Sequence, residues 1–406
     1  MKVLTLTTLF PNYLQPLHGI FIFERIRHLA KLCPVEVVAP ILLPPPKEGG
    51  LSSSKISWRK MSQISPYEIK ENLSIHHPKV FYLPKIDRTL RWVNYFIRLY
   101  PLLKQIKYRF DFDIIDAHWV YPDGLAALLL GKILNVPVVV SCRGSDVNLY
   151  PDFPIIGKLV KYTLHKCDAI ITVSEALKNK VISLEISPEK IEVIANGVDP
   201  KKFFYVSRKT ARKDLDIPLE KRVVLSIGHL VERKGFHHLI DAMNHLVNKK
   251  KYRDLLLVIV GEGPYRNVLE KKIKNYGLQS HVLLVGAKPF NEIPLWHNIA
   301  DIFCLASSRE GWPNVIFEAL ASGSPVVATN AWGNREVICS KDYGILVDQQ
   351  CGKELAKAIA RALETKWDKK KIIKYACDNN WDIVATKVFK YLNKTIQNGC
   401  RTSSQN

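Results

Sequence analysis

The chain has 406 residues, of which 47% are hydrophobic and 24% charged, so it can bury a sizeable core and divide into two or three domains. These values exclude a disordered chain, and no uninterrupted apolar run is long enough to span a bilayer. The formal net charge of +21 predicts an acidic ligand or surface, such as nucleotide phosphates, anionic lipid, an acidic glycan or nucleic acid. The eight cysteines are scattered and form no C-x-x-C pair, which favours free thiols in a reducing compartment.

The N-terminal half alternates short apolar runs with helical patterns, as a parallel α/β domain does. Residues 2–7 predict a first strand rather than a signal peptide, because no small-residue cleavage site follows them. Gly19 lies in the loop between this strand and a helical pattern over residues 20–32. There is no G-x-G-x-x-G sequence, so we expect no nicotinamide or flavin cofactor. Five more strands are predicted in this half, at residues 35–40, 112–119, 136–141, 168–173 and 191–195.

Residues 87–110 predict an amphipathic helix that is both basic and aromatic. Polar residues such as Arg91 and Arg98 recur at helical spacing on one face, and apolar side chains fill the rest. Pro101 is expected to kink or divide the helix. The profile fits a helix at a membrane interface and fits a wide core helix as well, so both interpretations stay open.

Two polar sites follow predicted strands in this half. One strand delivers His118 to its carboxyl end, and the next runs into a loop that contains Arg143 and Asp146. Ligands of α/β sheets bind at that edge of the strands, so these residues are binding candidates. The alternatives are a histidine that is satisfied at a strand end and a turn that Asp146 caps.

The second half repeats the α/β pattern after a turn at residues 196–200. We expect one domain over residues 1–200, a second over residues 201–380, and a C-terminal helix over residues 381–406. The loop after the first strand of this half contains His229, Arg233 and Lys234, and the second strand ends at Gly261-Glu262-Gly263. The strands are predicted at residues 223–228, 255–260, 282–286, 300–305, 325–329 and 343–348.

Residues 307–327 are the most informative stretch, with a polar loop, a helix and a strand in succession. Pro313 suits the first position of the helix, and Gly323 suits its end. The backbone amides of Asn314 and Val315 are therefore expected at a helix N-terminus. Unpaired N–H donors and the helix dipole attract an anion such as phosphate to that position.

Two glutamates flank this helix start, Glu310 in the loop and Glu318 over a turn into the helix. Sugar hydroxyls can donate to such carboxylates, so the arrangement suits a sugar attached to a nucleoside diphosphate. With the Gly-x-Pro-Asn and Glu-Ala-Leu-Ala-x-Gly-x-Pro-Val-Val sequences around them, the two glutamates resemble the donor-site motif of retaining glycosyltransferases of family 4. The resemblance implies that Glu310 holds the donor sugar and Glu318 the ribose. It also places four neighbouring residues in the donor site: Gly311, Pro313, Asn314 and Val315.

The resemblance assigns further donor contacts in the second half. In this family an arginine and a lysine after the first strand neutralise the donor diphosphate; Lys234 matches the lysine, whereas His229 stands where the arginine is usual. Arg233 can make up the difference, because histidine offers fewer donors and its charge depends on pH. Gly261 and Gly263 match a loop that lines the nucleotide pocket.

In the first half, the resemblance places His118 beside the donor sugar. It makes Arg143 and Asp146 candidates for contacts with the acceptor or the sugar, because they match a Gly-x-Asp loop near the interdomain cleft. Gly19 falls in a loop that approaches the donor phosphates in this family. A plain turn glycine explains Gly19 equally well, and a capping role explains Asp146 equally well.

The resemblance extends from Gly19 to Trp381 and implies the GT-B architecture: two Rossmann-like doubly wound domains facing across a cleft, with the C-terminal helix crossing back to the first. The implied activity is retaining, metal-independent transfer of a sugar from a nucleoside-diphosphate sugar to a glycan or lipid-linked acceptor. Its catalytic candidates are His118, Glu310 and Lys234, and no cofactor is expected. The sequence is most similar to bacterial-type enzymes of teichuronic-acid or other cell-surface polysaccharide synthesis. We therefore expect a cytoplasmic enzyme that contacts the anionic inner face of the cell membrane.

Other function classes stay open. A sugar phosphorylase or an epimerase could use the same fold, and dependence on free phosphate or the lack of an acceptor requirement would reveal it. A nucleic-acid-binding protein would explain the charge of +21, although the sequence contains no recognised binding motif. The base, the sugar, the acceptor and the oligomeric state depend on pocket shape and contacts that a sequence does not locate.

Overall fold

The computed structural model describes residues 1–43, 58–81, 89–250, 252–348 and 350–403. The chain forms two compact units: the first is Met1–Asn196 with Trp381–Asn406, and the second is Gly197–Asn380. Each unit has its own sheet and hydrophobic core. The cysteines in the described part of the chain are free thiols, and those at positions 33, 142, 167 and 304 are buried.

The first unit is built on an eight-stranded sheet. The strands of this unit, eight in that sheet and two in a separate pair within the described residues, are β1 (Val3–Leu6), β2 (Val35–Val38), β3 (Ile41–Leu43), β4 (Tyr67–Lys70), β5 (Leu73–His76), β6 (Lys79–Phe81), β7 (Ile114–His118), β8 (Val138–Cys142), β9 (Ala169–Thr172) and β10 (Ile191–Val193). The order is β10-β9-β8-β7-β1-β2-β5-β4, with β4 antiparallel to β5 and the other neighbours parallel. Strands β3 and β6 pair separately. The helices are α1 (Ile20–Leu29), α2 (Trp58–Ser62), α3 (Arg91–Phe110), α4 (Leu125–Leu134), α5 (Ser145–Asn148), α6 (Pro154–Lys166) and α7 (Glu175–Ile182).

The second unit has a six-stranded parallel sheet in the order β13-β12-β11-β14-β15-β16. Its strands are β11 (Arg222–Ile227), β12 (Leu255–Val260), β13 (Val282–Gly286), β14 (Ile302–Leu305), β15 (Val326–Thr329) and β16 (Gly344–Val347). Its helices are α8 (Arg208–Asp214), α9 (Phe236–Asn244), α10 (Arg266–Asn275), α11 (Ile293–Asn298), α12 (Asn314–Ala321), α13 (Gly333–Val337), α14 (Gly352–Glu364) and α15 (Lys369–Cys377). The continuous apolar runs predicted as strands are buried on both faces, as parallel strands covered by helices are.

The last helix, α16 (Trp381–Ser403), belongs to the first unit. Its apolar side chains, including Trp381 and Val388, join the core cluster that contains Ile26 of α1. At the edge of this contact, His28 Nδ1 lies 2.7 Å from an Asp382 carboxylate oxygen. The prediction that the C-terminal helix returns to the first half of the chain is confirmed.

Helix α3 buries one narrow face, which carries Tyr95, Leu99, Leu103 and Ile106. It runs without a break through Pro101, so the proline does not divide the helix, and the alternative effect, a kink, stays a prediction. Pro101 is exposed, and water can satisfy the carbonyl that the missing N–H leaves unpaired there. The predicted start at residue 87 lies outside the described residues, which resume at residue 89. No helix in the described part of the chain is long and apolar enough to cross a membrane.

In both sheets the strand order reverses beside the first strand of the unit. Strand β1 pairs with β2 on one side and with β7 on the other, and β11 pairs likewise with β12 and β14. Loops that leave the carboxyl ends of such strands diverge and open a crevice, which is where α/β sheets bind ligands. The topology therefore directs attention to the loops after β1 and β7, and to those after β11 and β14.

Candidate active site

Three loops of the second unit meet at its strand-order reversal. The loop after β11 is joined to the loop after β12 by the Leu230 N–H, which donates to the Glu262 carbonyl at 3.0 Å. It is joined to the loop after β14 by the Ser308 N–H, which donates to the Arg233 carbonyl at 2.8 Å. Backbone hydrogen bonds therefore join all three loops to one another.

Two glycines allow the loops to come this close. Gly261 has φ +151°, and a Cβ there would lie 1.9 Å from the Gly228 carbonyl oxygen. A Cβ on Gly263 would lie 2.4 Å from the Leu230 carbonyl oxygen. Both glycines are therefore required by backbone packing at the edge of the site. Their predicted contact with the nucleotide stays a prediction.

Lys234 and Glu310 form an ion pair between the loops after β11 and β14. The Lys234 ammonium donates to Glu310 Oε1 at 2.6 Å, and the Arg233 guanidinium lies 3.9 Å from Glu310 Oε2. Glu310 is 8% exposed, whereas Arg233 is 53% exposed. The lysine has three N–H donors, so those not used by Glu310 remain for an anion. The structure thus brings together two predicted catalytic residues that are 76 positions apart.

The N-terminus of α12 lies directly after Glu310 in the chain. Pro313 is the residue before the helix, one position earlier than predicted, and Gly311 lies in the loop that leads to the helix. The Asn314 N–H donates to the Trp312 carbonyl at 3.2 Å. The Val315 N–H has no partner among the described residues. It is thus a free donor at the positive end of a helix dipole, next to the Lys234–Glu310 pair.

Glu318 is placed differently from Glu310. Its side chain is 16% exposed on α12, and its Oε2 lies 3.3 Å from Nε2 of His297 on α11. His297 is completely buried. One predicted donor-binding glutamate is therefore held by cations, and the other by an imidazole.

His229 uses one ring nitrogen inside the protein. Its Nδ1 lies 2.6 Å from the Glu262 carbonyl oxygen, so Nδ1 carries a proton and donates it. Nε2 then donates to a phosphate only when the ring carries a second proton. This is a physical limit on the role predicted for His229, and Arg233 in the same loop is free of that limit because it stays charged.

His118 ends β7 in the first unit and is completely buried. Its Nδ1 lies 2.5 Å from Arg143 Nη2, and its Nε2 lies 3.1 Å from Asp116 Oδ2. A guanidinium only donates, so Nδ1 accepts and Nε2 donates to Asp116. Burial lowers the pKa of His118 to about 4, with Asp116 opposing this shift and Arg143 adding to it. The ring is therefore neutral near pH 7, and its two nitrogens are both engaged.

The same network includes Arg25 of α1, whose side chain is 1% exposed. Arg25 donates to Ser141 Oγ at 3.2 Å and lies 3.6 Å from Asp116 Oδ2. Burial acts to raise the pKa of Asp116, but the neighbouring His118 and Arg25 outweigh it and hold that pKa below its usual range. Arg25 was not predicted as a site residue, because its helix also carries Glu24, Arg27 and His28 and nothing in the sequence distinguishes Arg25 from them.

Arg143 and Asp146 shape the loop after β8. Arg143 also donates to Asn196 Oδ1 at 3.0 Å, and burial lowers its pKa to about 9, with the nearby Arg25 contributing. The Asp146 carboxylate accepts backbone N–H bonds from Arg143 at 3.1 Å, Gly144 at 2.7 Å and Val120 at 3.3 Å. The structure thus shows the capping role for Asp146. The acceptor-side contacts of Arg143 and Asp146 stay predictions.

Gly19 lies just before α1 with φ +65°, and a Cβ there would lie 2.2 Å from the Leu9 carbonyl oxygen. The turn itself therefore requires a glycine. This explains the residue by local packing, and the predicted approach to donor phosphates stays a prediction.

A buried carboxylate not expected from the sequence lies next to the same loop. Asp123 accepts from the Thr8 hydroxyl at 2.7 Å, from the Thr8 N–H at 3.2 Å and from the Tyr95 hydroxyl at 2.5 Å. Burial raises the pKa of Asp123 to about 7, although these hydrogen bonds oppose the shift. Asp123 thus joins the end of β1 to α3 through a group that titrates near neutral pH.

Family models match both halves of the chain. The model of Glycosyltransferase Family 4 matches residues 19–202, and the model of Glycosyl transferases group 1 matches residues 207–378. The chain belongs to these glycosyltransferase families. The resemblance inferred from the donor-site sequence is therefore confirmed. Neither model describes a phosphorylase, an epimerase or a nucleic-acid-binding domain, so those alternatives have no support.

Relatives and solved structures agree with this membership. A Bacillus subtilis protein named as a teichuronic acid biosynthesis glycosyltransferase, TuaC, is 29% identical over 367 residues, which are 89% of each chain. An Escherichia coli UDP-Gal:alpha-D-GlcNAc-diphosphoundecaprenol alpha-1,3-galactosyltransferase is 27% identical over 305 residues, 71% of this chain and 76% of the relative. Anabaena HepE, solved in complex with UDP, has a TM-score of 0.68 at 21% identity over all of both chains. The glycosyltransferase therefore has the GT-B fold that the sequence predicted.

Proposed function

We propose that this glycosyltransferase binds a nucleoside-diphosphate sugar in its second unit and transfers the sugar with retention of anomeric configuration. The observation that carries the proposal is the Lys234–Glu310 pair beside the N-terminus of α12. Spare donors of Lys234 and the free Val315 N–H supply positive potential for a diphosphate leaving group. Glu310 offers carboxylate oxygens to hydroxyls of the sugar.

The proposed chemistry follows from these groups. The bond between the anomeric carbon and the diphosphate oxygen breaks, and the acceptor hydroxyl attacks the same face. The departing diphosphate takes the acceptor proton, so atoms and charges balance without a covalent enzyme intermediate. Glu318 is assigned to the ribose, which leaves no obvious carboxylate nucleophile for a double displacement. Lys234 and Arg233 stabilise the leaving group, so the proposal requires neither a metal nor another cofactor.

The names of relatives support the substrate classes. HepE was solved with UDP, and the E. coli relative is named for a UDP-sugar and a diphosphoundecaprenol-linked acceptor. TuaC is named for teichuronic acid biosynthesis. We therefore assign this chain a nucleotide-sugar donor and a glycan or lipid-linked acceptor in cell-surface polysaccharide synthesis.

We place the enzyme in the cytoplasm, in peripheral contact with the anionic inner face of the membrane. The net charge of +21 and the outer face of α3 support this placement. That face exposes Ile97 at 60% and Tyr108 at 93%, with Lys104 also exposed between them. Co-sedimentation with phosphatidylglycerol vesicles should fall in high salt and in an Ile97→Glu variant. Equal binding to neutral phosphatidylcholine vesicles would contradict the placement.

The donor reaction itself is tested with a panel of uridine-, guanosine- and adenosine-diphosphate sugars. One donor should be hydrolysed slowly, NMR should show the retained anomer first, and EDTA should not change the rate. Glu310→Gln should abolish turnover in a folded protein. Glu354→Gln is the matched control, because Glu354 forms a 2.8 Å pair with Lys357 on α14 of the same unit. An inverted first product, or equal activity of the two glutamine variants, would contradict the proposal.

A further inference from the structure

We infer that His297 is a positioning residue for the donor, because it orients the carboxylate of Glu318 towards the ribose. The inference rests on the proposed function, in which Glu318 binds the ribose hydroxyls. His297 lies in α11, has no exposed surface, and places Nε2 3.3 Å from Glu318 Oε2. The two residues are 21 positions apart on different helices, so the contact is made by the fold of the second unit.

The direction of this hydrogen bond follows from the other ring nitrogen. Nδ1 of His297 is buried and has no hydrogen-bond partner within the described residues. A proton on Nδ1 would therefore be an unpaired buried donor, and it would leave a lone pair on Nε2 facing the carboxylate. The tautomer with the proton on Nε2 removes both problems. His297 thus donates to Glu318 Oε2 as a neutral ring.

The ring is also held in place on its other sides. It packs against Phe203 with centroids 5.8 Å apart and against Phe303 with centroids 5.5 Å apart. The His297 carbonyl accepts from the Ser324 hydroxyl at 3.4 Å. A donor fixed by two aromatic rings and its own backbone leaves the paired carboxylate little freedom to rotate.

The Glu318 carboxylate therefore has one oxygen, Oε2, that accepts from His297 and a second, Oε1, that can accept from a ligand. Within the described residues, no hydrogen bond reaches Glu318 Oε1. A neutral donor on Oε2 fixes the orientation of the carboxylate without placing a cation beside it. Glu310, in contrast, has Lys234 as a charged partner. The negative charge of Glu318 therefore remains available to accept from hydroxyls, and ribose presents two adjacent hydroxyls.

The test compares each nucleoside diphosphate with its 2′,3′-dideoxy form. Calorimetric titration of UDP, GDP and ADP selects the nucleotide that the wild-type protein binds. The wild type should bind the ribonucleotide about tenfold more tightly than the dideoxy form, since hydrogen bonds to a charged group contribute at this level. His297→Leu should reduce this ratio towards one. His297→Gln should preserve most of it, because the amide nitrogen of glutamine can occupy the place of Nε2.

The matched control is His77→Leu in the first unit. His77 is 1% exposed and its Nε2 lies 3.1 Å from a carboxylate oxygen of Glu68, so it is an equally buried histidine with a glutamate partner. This variant should leave the ribose preference unchanged. Should His297→Leu fail to fold, His297→Asn provides the comparison with His297→Gln, because its shorter amide does not reach Glu318.

The outcomes separate this inference from the proposed function. If Glu318→Gln lowers the ribose preference but the leucine and asparagine variants of His297 do not, the positioning role is wrong and the donor site stands. Equal weakening of both nucleotide forms by these His297 variants would show a merely structural role, and would also overturn the inference. If Glu318→Gln keeps the full preference, or if no nucleotide binds the wild type, the proposed donor site itself is wrong.

Discussion

The two units place polar residues at the same topological position and use them in opposite ways. In the first unit, His118, Asp116 and Arg143 are buried and engage one another. In the second unit, the Lys234 and Glu310 side chains, which are 14% and 10% exposed, pair next to a helix N-terminus with a free donor. The burial of the first network fits a role in fixing loop shape, whereas the second network is the one that we propose binds a charged ligand.

The largest effect is expected from removing the shared carboxylate of the first network. Asp116→Ala leaves Arg25 and His118 without their buried partner, so the free energy of unfolding should fall by about 3–5 kcal/mol. Hydrogen exchange should show the loss in β1, β7 and β8. Asp342→Ala serves as the control, since Asp342 pairs with Lys371 at the surface and should matter little. Equal losses of stability in the two variants would contradict the structural role of the buried network.

The second-largest effect is expected from breaking the Lys234–Glu310 ion pair of the second unit. Lys234→Ala removes the cation nearest to Glu310 and the proposed diphosphate, so donor turnover should fall about 100-fold. The thermal stability of the protein should change less than in Asp116→Ala, because Lys234 and Glu310 keep some contact with water whereas Asp116 is completely buried. Lys357→Ala, which breaks the exposed pair on α14, is the matched control for turnover. Wild-type turnover in Lys234→Ala would remove this residue from the site.

The buried carboxyl group of Asp123 should make the stability of the first unit, but not of the second, depend on pH. Its ordinary pKa is 3.8 and burial raises the pKa to about 7, so the folded protein holds a proton that the unfolded chain has already released. The first unit should therefore lose stability as pH rises from about 4 to about 7, by at most ~1.4 kcal/mol per pH unit for this one group.

Asp123→Asn carries no titrating group at this position, so it should flatten that part of the pH profile. Hydrogen-exchange protection of β1 and α3, measured at several pH values, would show this flatter profile. Protection in the second unit provides the internal reference. An unchanged pH profile in the asparagine variant would mean that another group controls the stability of this loop.

The smallest expected effect is a gain in affinity for the nucleotide. His229 already donates Nδ1–H to the Glu262 carbonyl, and its neutral ring has no second N–H for a phosphate. His229→Arg would add fixed donors and charge, so affinity for a nucleoside diphosphate should rise severalfold, about 0.5–1 kcal/mol. A loss of affinity would show that the contact with Glu262 matters more than the added charge.

Much of this organisation could be predicted from the sequence. Apolar runs predict β12 and β13 at their observed bounds: β12 is buried along its whole length, as a parallel strand covered by helices is, and β13 is a largely half-buried strand at the edge of the sheet. Because the strands of the second sheet are parallel, the loops that follow them all lie at the carboxyl edge of that sheet. Strands β4 and β5 are not among the predicted strands, because β4 is an exposed antiparallel edge strand and β5 alternates buried and half-buried residues, so neither has a continuous apolar run.

Pairings between distant residues could not be predicted in the same way. Both Lys234 and Glu310 were named as site residues, but their 2.6 Å contact depends on how two loops pack. His297 lies in a short helix whose local sequence resembles that of any buried helix, so nothing marked it as a partner of Glu318. Asp146 could be read as a cap or a ligand group, and only the three backbone donors around it show the capping role.

Hydrogen exchange with and without nucleotide tests the contrast between the two units most directly. The protein would be incubated with UDP, GDP or ADP, and exchange followed in every loop at the carboxyl edges of both sheets. We predict protection of the loops after β11 and β14, which contain Lys234 and Glu310, with one of the three nucleotides. Unchanged exchange in these loops at saturating nucleotide, whatever happens in the first unit, would contradict the account.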